Sequence, residues 1–458
     1  MKTLGEQAVV IGGSVAGLMA ARVLSPHFGR VTVIERDTVA AVAEERRGVP
    51  QAGHIHALLL AGEQVLSSLY PGFADGLLHA GAVPLRAGRD IGYFLPGGKA
   101  YSPGGAMKQP RDLGFDLYGA SRALIEHRVR EHTRELPNVD FETGTVQGLL
   151  CQGHVVKGVR REQAGRIGIL QADFVLDAAG RASRAARWLA EWGFAPPDET
   201  VIGVDMVYAS ARFRLRDDDA EPERQLVFRG PAPAHRRSAV LGRIEGGLWH
   251  LTLAGRFGED PPFDEPGFRA FARSLHSPRL HELIDGAERV GEIVQYQFPT
   301  SVRRHYERMP ACPQRWLAIG DAISSFNPIY GQGMSVAALH CRALQQLLEA
   351  GAAACDPATA LDGLAARFFQ HAVEPTHQAW TLAANQDFAF SQTRGERPAG
   401  LADRARYAVA LDSMILEDPQ LHRLLAEVVN LARPASVLNE EPLRTRVLER
   451  MRQQATLC

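Results

Sequence analysis

Residues 7–37 read QAVVIGGSVAGLMAARVLSPHFGRVTVIERD, and the order of apolar runs and glycines in them decides the fold. QAVVI at 7–11 is a short unbroken apolar run of the kind that forms a buried strand. GGSVAG follows as a turn, LMAARVL is spaced as a helix, and VTVIERD is a second apolar run. Strand, glycine-rich turn, helix and strand in that order open a parallel dinucleotide-binding sheet. Gly12, Gly13, Ser14, Val15, Ala16 and Gly17 match G-x-G-x-x-G except in the middle, where Ser14 stands for glycine. The first glycine permits a tight turn, the last lets helix and strand pack closely, and the middle one admits a pyrophosphate to the backbone. A small hydroxyl fits there and can donate to a phosphate oxygen. The free N–H groups of the helix start favour that anion. Glu35 ends the second strand, where an acidic residue is expected to accept ribose hydroxyls. Arg36, next in sequence, is counted with the same contact set.

A glycine turn can join a strand to a helix and bind nothing, and this loop alone does not separate FAD from NAD. The segment 316–344, WLAIGDAISSFNPIYGQGMSVAALHCRAL, is more specific. A buried strand runs into Gly320-Asp321, and Asp321 can accept from a polyol such as the ribityl chain of FAD, which NAD lacks. Pro328 stiffens the loop without offering an N–H. Gly331, Gln332, Gly333 and Met334 then open a helix whose N–H groups can face the flavin edge, where reduced flavin is negative. The pairing of the two segments selects FAD.

The remaining sequence divides accordingly. Ser121 to about Arg134 has helical spacing, while FETGTV, GHVVKGV and ADFVLDA read as strands. The Gly- and Pro-rich stretch 84–111 breaks the pattern. VIGVDMVYASARFRL, RQLVFRG, RSAVLGRI and GLWHLTLAG alternate like antiparallel strands. Beyond residue 356 the chain reads as mostly helical, and RLRDDDAEPER at 214–224 reads as a solvated turn. The expected fold is α/β: a Rossmann-like FAD-binding domain (1–83, 112–197 and 298–350), an inserted antiparallel-sheet substrate domain (84–111 and 198–297), and a helical C-terminal region (351–458).

Bulk composition excludes other classes. With 458 residues, 22% charged and a formal net charge of −1, nothing favours nucleic acid as a partner. Five cysteines without C-x-x-C spacing argue against a disulfide framework or a zinc site. No apolar stretch reaches membrane-spanning length and the first residues do not read as a signal peptide, so a cytoplasmic location is expected. His54 and His56 lack a third metal ligand and are expected to be structural or to form a polar wall. No metal is expected. Cys341 is expected to be packing.

GGSVAGLMAARVL, RRGVPQAGHIHALL, SRALIEHRVR, DFVLDAAGRASR and GDAISSFNPIYGQGM together resemble the FAD-dependent aromatic-hydroxylase superfamily of flavoprotein monooxygenases. Within it the chain most resembles flavin epoxidases and hydroxylases of natural-product pathways, and the likeness extends through DEPGFRAFARSL into the C-terminal region. By position the resemblance places Arg47 near the flavin and ribityl, Arg122 at the ribityl and pyrophosphate, and the Val146 backbone at the adenine. It places Asp321 at the ribityl and Gly333 and Met334 at the flavin edge, with Pro328 and Gly331 in the loop beside the reacting centre. The implied chemistry is insertion of one oxygen atom from O2 into a hydrophobic small molecule through a flavin C4a-hydroperoxide. NAD(P)H is the implied electron donor, with a separate flavin reductase as the other route. The superfamily's Asp-Gly fingerprint is Ala179-Gly180 here, with Asp177 two residues earlier. Phe94, Tyr101, Phe213 and Trp249 are candidate substrate-wall residues. A reductase or desaturase on the same fold is one rival, and a halogenase is another. WLAEWGF at 188–194 is not the halogenase W-x-W-x-I-P pattern.

Overall fold

The computed structural model describes residues 3–216, 222–354 and 359–457. Its first element is the expected strand, Gly5–Ile11, followed by helix Val15–Leu24 and strand Phe28–Glu35. These two strands pair in parallel and lie inside a five-stranded sheet. The order across it is Trp316–Ala318, Phe174–Asp177, Gly5–Ile11, Phe28–Glu35, Val139–Thr143, all parallel. Val9, Val10, Val31, Val33, Val175, Leu176, Trp316 and Leu317 are fully buried in it. Both faces are covered, which is why these strands read as continuous apolar runs rather than alternating ones.

Gly17 shows how tightly the first turn packs. A Cβ there would lie 1.8 Å from the Gly12 carbonyl oxygen, so only glycine lets the helix sit this close to the strand end. Gly12 takes φ of +96°, and a Cβ on it would lie 2.6 Å from the Ala178 carbonyl oxygen. Asp177, two residues before Ala179, is fully buried and caps its own turn. It accepts from the Ala179 N–H at 2.9 Å and from the Ser183 hydroxyl.

A second, eight-stranded sheet runs Ser324–Ser325, Glu288–Arg304, Glu199–Arg214, Trp249–Arg256, Arg237–Arg243, Gln225–Arg229, Ile91–Leu95, Gly98–Ala100. Its pairs are antiparallel except that between Gln225–Arg229 and Ile91–Leu95. The stretch 84–111, read as a break in pattern, thus contributes two strands to this sheet. Helices Glu265–Arg273 and Arg279–Ile284 cover one of its faces, burying Phe268, Phe271, Leu280 and Leu283. Asp264 caps the first of them by accepting the Gly267 N–H at 2.8 Å. A three-stranded antiparallel sheet, Thr145–Gln152, Val155–Gln163 and Arg166–Gln171, flanks the parallel one.

The C-terminal part is helical, with Leu364–Asp387, Leu401–Met414, Pro419–Val429 and Leu443–Leu457. Among the described residues no helix is long and apolar enough to cross a membrane. Part of the charged run 214–224 lies outside the described residues. Glu223, inside it, corrects the solvated reading: it is 1% exposed and holds the Tyr101 hydroxyl and Lys99.

Candidate active site

The N-terminal loop sits over a buried ion cluster. Ser14 stands just before helix Val15–Leu24 without capping it; its hydroxyl donates to Glu126 at 2.8 Å while accepting from Arg122 at 2.8 Å. Helix Arg122–Arg134 starts at Ser121, whose hydroxyl accepts the Leu124 N–H. It presents Arg122, Glu126 and Arg130 at four-residue intervals, hence on one face. Arg130 reaches Glu126 at 2.8 Å and the Gly13 carbonyl at 2.5 Å. Arg46 joins from the loop after strand Phe28–Glu35, 2.5 Å from Glu126, 3.3 Å from Glu35 and 3.2 Å from Asp37. Burial alone would raise the Glu126 pKa, but Arg122, Arg46 and Arg130 outweigh it and hold it at about 2. Glu35 accepts the Gly13 N–H at 2.9 Å. Arg122 Nη1 lies 3.0 Å from Glu126 yet makes no aligned hydrogen bond.

Arg46, Glu126 and Arg130 were not named from the sequence, although the i, i+4, i+8 spacing in SRALIEHRVR signals such a ladder. Arg47 is exposed beside the pinned Arg46, and Arg36 is exposed with a long contact of 3.4 Å to the Gly48 carbonyl. Val146 is buried on strand Thr145–Gln152, next to Glu35 through the Gly144 N–H bond to the Glu35 carbonyl.

The second segment meets the first loop. A Cβ on Gly320 would lie 3.5 Å from that of Ala16, and one on Gly333 would lie 3.4 Å from Asp321 Oδ1. Asp321 is therefore brought between the starts of helices Val15–Leu24 and Gly333–Ala352. Its turn is held from behind by His340, fully buried on the second helix. His340 Nδ1 accepts the Gly320 N–H at 3.1 Å, and Nε2 is 2.9 Å from the Thr376 hydroxyl. Burial pushes the His340 pKa down to about 3, so the ring is neutral and the Gly320 bond sets its tautomer.

Asp321 takes no hydrogen bond from any described residue. Burial pushes its pKa up to about 6 against the pull of Arg181, Arg122 and Arg304. Arg181, also missed in the sequence, is anchored on the Thr300 carbonyl at 2.6 Å and the Ser325 hydroxyl at 2.8 Å. In the same segment the buried Gln332 side-chain oxygen has no partner among the described residues. An acceptor carboxylate with no donor, between arginines and two helix starts, fits a ligand with hydroxyl and phosphate groups. FAD has both.

The loop Asn327–Gly331 is clamped to the sheet. Asn327 accepts the Tyr208 hydroxyl at 2.7 Å and donates to Asp387 at 3.0 Å. Asp387 Oδ1 also accepts from Arg256 at 2.7 Å and from the Tyr330 hydroxyl at 2.7 Å. Gly331 adopts φ of +64°, and a Cβ on it would lie 2.7 Å from that of Ala57. The segment His54–Ala57 therefore runs between this loop and the sheet. His54 Nδ1 is 2.7 Å from the Ser210 hydroxyl. Among the described residues no three metal-ligating side chains cluster.

The sheet face turned to His54 carries Tyr208, Ser210, His250 and Thr252. Side chains alternate along a strand, so Phe213 and Trp249 belong to the opposite face. They are buried with Phe268 and Phe271 under the covering helices, and Phe94 packs there too. This overturns Phe213, Trp249 and Phe94 as substrate-wall residues. Tyr101 packs instead with Met107, Leu411 and Met414.

No family model matches the chain. Protein Rv3254 of Mycobacterium tuberculosis (strain ATCC 25618 / H37Rv) is 33% identical over 432 residues, covering 90% of this chain and 88% of that protein. The flavin-dependent brominase Bmp2 superposes with a TM-score of 0.67 at 16% identity, covering 98% of this chain and 100% of that one. p-Nitrophenol 4-monooxygenase PnpA from Pseudomonas putida DLL-E4 superposes with a TM-score of 0.64 at 20% identity, covering 94% and 99%. The chain belongs to one family with Protein Rv3254, and its fold is that of the FAD-dependent flavoprotein monooxygenases.

Proposed function

We propose that this protein binds FAD between the Gly12–Gly17 loop and the Gly320–Met334 segment and inserts one oxygen atom from O2 into a hydrophobic small molecule. The reaction is an epoxidation or hydroxylation of the natural-product type. The observation that carries the reading is Asp321: a carboxylate with no donor from the described residues, flanked by Arg122 and Arg181, at the meeting of two helix starts. In this reading Asp321 accepts ribityl hydroxyls, Glu35 a ribose hydroxyl, and the N–H groups around Ser14, Val15 and Ala16 face the diphosphate. Arg122 supplies the unaligned Nη1, Arg47 and Arg36 add exposed positive charge, and the Val146 backbone borders the adenine. Gly333 and Met334 direct helix N–H groups at the flavin edge.

When bound, FAD supplies the reduction of O2 and the oxygen transfer. The chain's task is to position the substrate and keep water out. Pro328 and Gly331 shape the wall beside the flavin, and the Asn327–Asp387–Arg256 network fixes that wall against the eight-stranded sheet. No side-chain acid or base is required for an alkene. Electrons come from NAD(P)H or from a separate flavin reductase. The cofactor-binding part comprises 1–83, 112–197 and 298–350, and the substrate part 84–111 and 198–297.

The test is the fate of labelled dioxygen. FAD-loaded protein supplied with NADPH or NADH, a panel of alkenes and phenols, and 18O2 is expected to give products carrying one 18O by mass spectrometry. Turnover without label in the product contradicts the oxygenase reading and supports a reductase or desaturase. Bromide is included because Bmp2 shares the fold along the whole chain. Brominated product would replace oxygenation with halogenation.

A further inference from the structure

The sheet face turned to His54 carries Ser210, His250 and Thr252 and is polar where a plain hydrocarbon would call for carbon. His54 lies there with its ring centroid 5.9 Å from that of Tyr208 and 5.8 Å from that of Tyr296, and it is 6% exposed. A relay of hydroxyls stands behind it. The Ile55 N–H donates to Thr252 Oγ1 at 2.9 Å, Thr252 Oγ1 is 2.6 Å from Ser210 Oγ, and Ser210 Oγ is 2.7 Å from His54 Nδ1.

The relay has a preferred proton order. Thr252 already accepts the amide, and among the described residues its own proton finds an acceptor in Ser210. The Ser210 proton then goes to His54 Nδ1. Burial lowers the His54 pKa to about 4, so the ring is neutral near pH 7. A neutral imidazole that accepts at Nδ1 carries its hydrogen on Nε2. That nitrogen is buried and has no partner among the described residues. The two ring nitrogens point away from each other, so the Nε2–H is aimed away from Ser210 and its strand.

Its place is beside the loop Asn327–Gly331. Ala57, three residues on, abuts Gly331. Tyr296, the cross-strand partner of Tyr208, packs against the same ring and lies within electrostatic reach of Arg181 and Asp321. A buried donor left unpaired is costly, so an oxygen brought to this Nε2–H by a ligand would recover that cost.

We propose that His54 reads the substrate: its Nε2–H donates to a carbonyl, ether or hydroxyl oxygen on the molecule to be oxygenated. The substrate is an oxygen-bearing hydrophobe, not a bare hydrocarbon. This deepens the FAD-monooxygenase reading and rests on it. A site built to donate discriminates against an isostere lacking the acceptor, because the N–H is then desolvated without return.

The probe pair is 2-acetylnaphthalene and 2-isopropenylnaphthalene, which differ by C=O against C=CH2. Each is titrated into FAD-loaded protein and followed by the change in flavin absorbance. The ketone is expected to bind about tenfold tighter or more. His54→Phe is expected to bring the two affinities together with FAD affinity unchanged, and His54→Gln, which keeps an N–H, to retain part of the preference. Ser210→Ala, a smaller change that removes only the relay hydroxyl, is expected to lower the preference several-fold. It carries the test if His54→Phe does not fold. Equal affinities, binding of neither compound, or a preference that survives His54→Phe overturns the proposal. So does an unchanged preference in Ser210→Ala, or a tenfold loss of FAD affinity in His54→Phe, which would make His54 a cofactor contact. Failure of the underlying reading appears separately, as wild-type protein that takes up no FAD before any probe is added.

Discussion

Replacing Glu126 with alanine is expected to remove about 3–5 kcal/mol of folding stability, the largest effect of any substitution around the candidate site. The carboxylate is 7% exposed and is the common partner of Arg46, Arg122 and Arg130. Removing it leaves three guanidinium groups facing one another, most of them out of water, with Ser14 losing its acceptor as well. The pKa points to the same size. A fall from 4.5 to about 2 corresponds to about 3 kcal/mol. Because the folded-state pKa is depressed, this contribution is fully present above about pH 4.5 and is lost as pH falls toward about 2. Chemical denaturation followed by circular dichroism measures it. A loss under about 1 kcal/mol would mean that the cluster is solvated rather than buried.

Asp321→Asn is expected to act in two directions at once. FAD affinity should fall by tenfold to a hundredfold, since a charged acceptor is worth about 1.5–3 kcal/mol per hydrogen bond. The FAD-free protein should become more stable at pH 7. Its folded-state pKa is pushed up to about 6 from 3.8, so folding holds on to a proton that the unfolded chain releases. Stability of the FAD-free protein therefore falls as pH rises from about 4 through about 6. The asparagine relieves this, by about 1–2 kcal/mol once partial exposure is discounted. Thermal unfolding with and without FAD reads both effects. Unchanged FAD affinity, or a variant that is less stable without FAD, would make Asp321 a structural residue.

The parts of this fold that could be read in the sequence are those set by local backbone demand. Gly12 and Gly17 cannot carry a side chain where they stand, and the apolar runs of the parallel sheet reflect burial on both faces. Asp321 and Gly333 could be singled out because glycines mark the turn after strand Trp316–Ala318 and the start of helix Gly333–Ala352, and the fold brings the two residues together. What escaped depends on distant pairing. Arg46 finds Glu126 eighty residues on, and Asp387 joins Asn327 and Arg256 from the C-terminal helices. The error at Phe213 and Trp249 has the same origin. Alternation divides a strand into two faces, but only the docking of helix Glu265–Arg273 decides which face is covered. Once that is known, Ser210 and Thr252 fall on the face turned to His54 and the large aromatics on the covered one.

Incubation of the purified protein with FAD, removal of free cofactor and measurement of the bound flavin spectrum test the central claim most directly. The predicted result is a yellow protein holding a single FAD per chain, with affinity lost in step with substitution of Asp321. A chain that stays colourless under these conditions while folded by circular dichroism would contradict it.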